Sequence, residues 1–281
     1  MKFLEYLQAS FKRKKARRIT KSYPPIIDTF DLEGIGKVEF ANWSNPLVES
    51  FQLNSKMIAF FGQFIKPGDL AIDIGANIGD TTVPIALCAG SNGLTLGFDP
   101  NPYVYKILEA NAALNKDKTN IQPIPFAIST KEESYYFVSS EASFGNGGIS
   151  TTKESKHGKF VYPNKIKGVN LKKFLEENYT EWLPKISFIK IDTEGFDKEI
   201  LKSISDLIST FKPVIIAESF GNSTNDEKME LYQIIENLGY DIYYFEDFEI
   251  KCIPKKLENK KDMLQWKNTI NIYAVPKKND G

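Results

Sequence analysis

The rhythm of apolar positions changes along the chain. Before about residue 67 it opens with a helical stripe, Phe3, Leu4, Leu7 and Phe11, and continues as an alternating segment, IIDTFDLEGIGKVEFA, around Gly34 and Gly36. The stripe predicts a helix that Pro24 and Pro25 bring to an end. The alternation predicts a short hairpin, followed by a helix ending near Phe64. After Gly68, short buried apolar runs alternate with longer amphipathic stretches. That cadence belongs to an α/β protein, a mostly parallel sheet flanked by helices. Strands are expected over 70–74, 94–99, 121–127, 187–191, 214–218, 240–245 and 271–275, with helices over 80–88, 102–114, 171–177, 196–208 and 226–238. Residues 132–167 interrupt it: YYFV reads as a strand, GNGG as a turn and TTKESKHGK as a polar loop. Such an insertion is either a lid over the site or a surface hairpin.

The division this predicts is a basic arm over 1–22, a cap region over 23–67 and an α/β domain over 68–277 with a lid-like insertion at 132–167. The 36 basic and 36 acidic residues cancel overall, yet residues 2–21 hold eight Lys and Arg against Glu5 alone. The arm therefore carries +7 and the rest of the chain −7. Its run KRKKARR reads as a basic helix resting weakly on the domain, or as a peripheral contact with an acidic membrane or a protein. An acidic remainder without an Asn-Pro-Pro-Tyr motif makes nucleic acid an unexpected partner. The two cysteines, Cys88 and Cys252, are too few for a disulfide framework or a four-cysteine zinc site. Cys88 reads as inert packing, and Cys252 has no evident catalytic partner. With no secretory signal and no apolar run long enough to span a bilayer, the expected location is the cytoplasm, with membrane association through the arm.

Four strand ends carry candidate chemistry. In DLAIDIGANIGDTT a buried strand meets Asp73, Gly75 and Gly79 just before a helix; small residues let a ligand approach the backbone, and helix-start N–H groups favour a polar or anionic group. The spacing lacks GxGxxG, which weakens a dinucleotide reading. Asp99, in TLGFDPNP, ends the next strand 24 positions after Gly75. An acid there can accept both hydroxyls of a ribose, or simply cap the following helix. FIKIDTEGFDKEIL brings Asp192 and Glu194 to the same edge, and Glu218 of VIIAESF follows another strand. Clustered carboxylates repel unless they serve a ligand, although helix capping and pairing with a lysine are structural alternatives. The single histidine, His157, reads as a surface imidazole or as a base on the lid. The aromatic residues of YDIYYFEDF read as packing, or as a sugar-stacking surface.

Taken together, DIGANIGDTT, FDPNP with KILEANAALN, FIKIDTEGFDKEIL and the terminal TINIYAVPK resemble the FkbM family of S-adenosylmethionine-dependent methyltransferases, in order and spacing, from Gly68 to Lys277. Asp99 stands where that family usually has Glu, as does Asp197. The resemblance implies a class I methyltransferase, Rossmann-like sheet of seven strands in order 3-2-1-4-5-7-6, with only the last antiparallel. It implies S-adenosylmethionine, with Asp73, Gly75 and Gly79 at the methionine end, Asn77 and Thr81 at the carboxylate, Asp99 at the ribose, and Phe98 and Ala127 flanking the adenine. It also implies O-methylation of a sugar, nucleotide sugar or glycan in surface-polysaccharide biosynthesis. Asp192, Glu194 and Glu218 are the candidate bases. The same three are hard oxygen ligands for a divalent ion, if one is bound, without a diagnostic metal spacing. Two other classes remain open to sequence: a nicotinamide-dependent oxidoreductase and a noncatalytic docking module in polysaccharide assembly.

Overall fold

The apolar runs after Gly68 pair into one sheet of eight strands: β1 Leu70–Ile74, β2 Leu94–Phe98, β3 Ile121–Ile124, β4 Ile186–Ile191, β5 Val214–Ser219, β6 Tyr240–Phe245, β7 Lys255–Leu257 and β8 Ile270–Pro276. The computed structural model describes residues 2–155, 157–193, 195–249 and 253–277, with backbone alone for 2–4. Glu194 and Cys252 lie outside the described residues. The spatial order is 3-2-1-4-5-8-6-7. Strands β1 to β5 are parallel to one another, β8 runs antiparallel to β5 and β6, and β7 antiparallel to β6.

This corrects the expectation of seven strands with one antiparallel member. The additional strand, β7, is the tripeptide KKL, too short and too charged to register as an apolar run. It forms because Leu257 reaches the core at 2% exposure beside β6. The segment 121–127 is likewise two elements. Pro123 has no N–H to donate, which an edge strand such as β3 tolerates. Past Pro125, Ala127–Ile128 leaves the main sheet and pairs with Ile166–Val169 in a second one. The helix expected over 196–208 is Asp197–Ser203 and Ser205–Phe211, meeting at the fully buried Ile204.

Period-two alternation fills both faces of the main sheet. Leu70, Ile72 and Ile74 point into one cluster with Ile189, Ile200 and Leu231, while Ala71, Phe188 and Ile216 meet Phe60, Phe61 and Ile85 on the other. Such two-sided burial is what helices on both faces require.

The cap hairpin, Pro25–Leu32 with Gly36–Trp43, is joined to the domain by the ANAALN segment. Asn111 accepts the Ala41 N–H at 2.7 Å and donates to the Ala41 carbonyl at 3.0 Å, and Asn115 does the same at Glu39, at 2.9 and 2.8 Å. One side chain in the last turn of the helix Tyr105–Ala113 and the other two residues past its end together imitate the hydrogen-bonding edge of a strand.

The insertion folds as a small sheet in which Ser134–Ser139 pairs with Ile166–Val169, Gly148–Ser150 and Phe160–Val161. Its own apolar cluster holds Phe137, Phe144 and Ile166, and Tyr103 of the main domain stacks on Phe144 at 4.8 Å. A buried hydrogen bond of 2.7 Å from Asn101 Nδ2 to the Phe144 carbonyl completes the attachment.

Candidate active site

Parallel strands with helical crossovers direct their carboxyl ends to one edge, where the first residue past each strand is free of the ladder. Asp99 follows Phe98 and Asp192 follows Ile191 in this way, and both line a cleft of ≈ 300 Å³ between this edge and the insertion. Asp99 is only 7% exposed. Its Oδ2 accepts the Asn77 N–H and its Oδ1 the Asn101 N–H, each at 2.8 Å. Burial nevertheless raises its pKa to about 7, against those two backbone donors.

The turn after β1 needs glycine for steric reasons. Gly75 has φ +81°, and a Cβ there would overlap the Asp192 carbonyl oxygen, because the Asp192 N–H is hydrogen-bonded to the Ile74 carbonyl at 2.9 Å. Asn77, at φ 48°, is among the few residue types that adopt this left-handed conformation readily. Gly75, Asn77, Phe98 and Ala127 all line the cleft. Gly79, at φ +98°, instead faces Leu108 and Asn111.

Asp73 and Thr81 are placed differently from Asp99. Asp73 lies one residue before the end of β1, so its side chain turns into the fold, where it has no exposed surface. Its Oδ2 accepts from the Thr81 and Thr82 hydroxyls at 2.8 and 2.7 Å, and its Oδ1 stands 3.4 Å from the Lys190 ammonium. Lys190 is the direct cross-strand neighbour of Asp73, is 3% exposed, and also reaches Asp192 Oδ2 at 3.2 Å. Burial works against the Lys190 charge, but Asp192, Asp73 and Asp80 outweigh it and hold the group above the ordinary lysine range. Asp80 belongs to the same group, its carboxyl raised to about 6 by burial despite Lys190. Sequence reasoning missed Lys190 and Asp80. A lone lysine inside a buried apolar strand was the available signal.

Glu218, the other described acid of the expected trio, is not among the residues that line the Asp192 cleft. Glu194 lies outside the described residues, and Glu218 lines a separate small cavity with Asp197 and Lys228. Asp197 is 2% exposed and ties two elements together, accepting from the Thr193 hydroxyl at 3.0 Å and from the Glu218 N–H at 3.1 Å. Burial raises it to about 6. Among the described residues no group of three His, Cys, Asp or Glu side chains is placed to hold a metal ion.

The insertion supplies the opposite wall, Gly145 to Gly148, Ile149 and His157. Gly148 lies flat against the His157 ring, where a Cβ would come within 2.6–2.8 Å of three ring atoms. Ile128, Ile149, His157 and Phe196 are shared with a second cavity of ≈ 430 Å³. That cavity is lined by Ser129, Thr130, Tyr135, Ser150, Thr151 and Ser155, together with Glu154 and Glu199. His157 was legible as a candidate, but no local pattern could place it between two cavities.

No curated protein matches the chain. Among solved structures it is similar to a methyltransferase FkbM from Methylobacillus flagellatus KT, at 13% identity over 78% of this chain and 50% of that one, with a TM-score of 0.44. It is also similar to a SAM-dependent O-methyltransferase from Thermotoga maritima, at 10% identity over 92% of this chain and 80% of that one, with a TM-score of 0.42. A third is a precorrin-6y C5,15-methyltransferase from Geobacter metallireducens GS-15, at 10% identity over 81% and 93%, with a TM-score of 0.43. In sequence, the model of the methyltransferase FkbM domain matches residues 73–242, from the Asp73 turn across the insertion and into β6. With more than half of its length so matched, the chain belongs to the FkbM family of S-adenosylmethionine-dependent methyltransferases.

Proposed function

We propose that the cleft beside Asp99 binds S-adenosylmethionine, that the adjoining cavity takes a sugar, nucleotide sugar or glycan, and that a hydroxyl of that acceptor is methylated. The residues present fit the donor. Asp99 faces the cleft with a carboxylate whose two oxygens each accept one backbone N–H and retain capacity for ribose hydroxyls. Phe98 and Ala127 offer apolar surface to the adenine, and the Gly75 turn and Asn77 border the polar end. Asp73 and Thr81, enclosed in the fold and hydrogen-bonded to each other, act by shaping that turn. When bound, the donor supplies an electrophilic methyl group on a sulfonium.

The observation that carries the acceptor assignment is the hydroxyl-lined cavity sharing a wall with the cleft. Serine, threonine and tyrosine hydroxyls both donate and accept, which suits a polyol. His157 stands in the shared wall and is the group we assign to take the acceptor's hydroxyl proton. An imidazole is nearly neutral at physiological pH and holds a proton better than an ordinary carboxylate does. Asp192 also lines the cleft and pairs with Lys190, a charge it shares with Asp73. Its assigned part is to border the reacting groups. The rest of the rate comes from holding donor and acceptor in line.

Mass spectrometry of reactions containing the donor and a panel of sugars, nucleotide sugars and glycans tests the assignment. A gain of one methylene mass on a hydroxyl, with S-adenosylhomocysteine formed in equal amount, is expected. His157→Asn should lower kcat by about 10²- to 10⁴-fold with donor affinity retained. Methylation of a protein or nucleic acid in place of the sugars would refute the acceptor class, and full turnover by the variant would remove His157 from its role.

A further inference from the structure

The helix Lys2–Ala16 meets the protein with the wrong face for an ordinary surface helix. Ala9 and Arg13 are half-buried and Ala16 is fully buried, a spacing of four and then three residues that marks one side of a helix. The opposite side carries Leu7 and Phe11, four residues apart and 46% and 69% exposed, with Lys14, Lys15 and Arg18 exposed along the same side. Tyr6 is 63% exposed and Ile19, just past the helix, 52%. An amphipathic helix normally buries its large apolar residues and shows its small and polar ones. Here the side with Ala9, Arg13 and Ala16 is docked, and the large apolar side chains Leu7 and Phe11 are offered to solvent.

We infer that this arm is a docking element for an anionic lipid surface. The combination of features selects that partner. From Lys12 to Lys21 there are seven Lys and Arg and no acid. A lipid interface accepts both parts at once, aromatic and leucyl groups entering the acyl boundary while the cations meet headgroup phosphates. A nucleic acid would engage the cations and leave Leu7 and Phe11 in water. No helix among the described residues is long and apolar enough to cross a membrane, so the contact is a surface one. The root of the arm is also fixed: the Arg17 carbonyl accepts the Ala142 N–H at 3.2 Å, and three residues later Gly145 lines the cleft. Docking would therefore bring the insertion's wall of the cleft close to the bilayer.

Flotation of the full-length chain with vesicles tests this without any turnover. Phosphatidylcholine vesicles are compared with vesicles that also contain phosphatidylglycerol, at low and high salt. Binding is expected only with the anionic lipid, and to fall as salt rises. Leu7→Ser with Phe11→Ser should abolish it, and each of Lys14→Glu, Lys15→Glu and Arg18→Glu should weaken it at least about fivefold. An unchanged thermal midpoint of each variant shows that the domain is intact. Absence of flotation with anionic vesicles would overturn the inference. So would flotation that survives Leu7→Ser with Phe11→Ser, or a single-stranded RNA that displaces the vesicles and binds that double variant as tightly as the parent.

Discussion

Replacing Asp99 with asparagine should have opposite effects on two measurements, stability of the unliganded protein and affinity for the donor. Holding this carboxyl at about 7, where its ordinary value is 3.8, costs the folded state about 4 kcal/mol once it is charged, at ~1.4 kcal/mol for each pH unit. Asparagine removes that cost. It also has one acceptor oxygen where aspartate has two, so either the Asn77 or the Asn101 N–H loses its partner, at about 1–3 kcal/mol. Near pH 8 the variant should therefore be more stable than the parent by roughly 1–3 kcal/mol. Because the folded pKa is the higher one, the parent's penalty is absent below the unfolded value and grows as pH rises through about 7. Near pH 4 the sign should reverse, leaving only the lost hydrogen bond. Urea unfolding of both proteins at the two pH values measures this, and titration calorimetry measures the donor. The same substitution should weaken S-adenosylmethionine binding by about 1–3 kcal/mol, roughly 5- to 150-fold. A variant less stable than the parent near pH 8 would refute the desolvation argument, and unaltered affinity would take Asp99 away from the ribose.

Other substitutions probe the supporting framework. Lys190→Met leaves Asp73 buried without its cation and should cost about 3–5 kcal/mol in chemical denaturation, with part recovered when Asp73→Asn is added. Gly75→Ala combines a left-handed backbone with an overlap at the Asp192 carbonyl, so a loss of more than about 2 kcal/mol in thermal unfolding is expected, together with weaker donor binding. Asp197→Ala should remove the acceptor that the half-buried Glu218 N–H and Thr193 hydroxyl share, costing about 1–3 kcal/mol by urea titration.

The course of the sheet was legible because its strands are apolar on both faces, and so stand out as runs without alternation. Asp99 and Asp192 were legible for a related reason, since an acid immediately after such a run must lie at the strand tip. Asp73 looks equivalent in sequence, but in register it sits two positions earlier, inside β1 and not past its end, so the ladder and the Thr81–Thr82 turn enclose its carboxyl. Its partner was harder to see. Lys190 faces Asp73 only because β4 is the neighbour of β1, a pairing that depends on strand order and has no local signature. His157 was placed by the insertion's own fold, in which Gly148 comes against the ring through contacts between segments. The hinge at Ile204 and the strand Lys255–Leu257 were hidden by an unbroken helical pattern and by lysines, respectively.

The two margins of the main sheet share a property. One is Ile121–Ile124, with Pro123 unable to donate outward; the other is Lys255–Leu257, three residues long with two lysines. Neither offers a template on which another polypeptide can add a strand. The short lysine strand also shields Tyr240–Phe245, whose sequence YDIYYF has the β-forming, aromatic character of an aggregating segment. Peeling away three residues would suffice to uncover it, so a tripeptide at one margin of the sheet guards the segment best suited to pair with another chain.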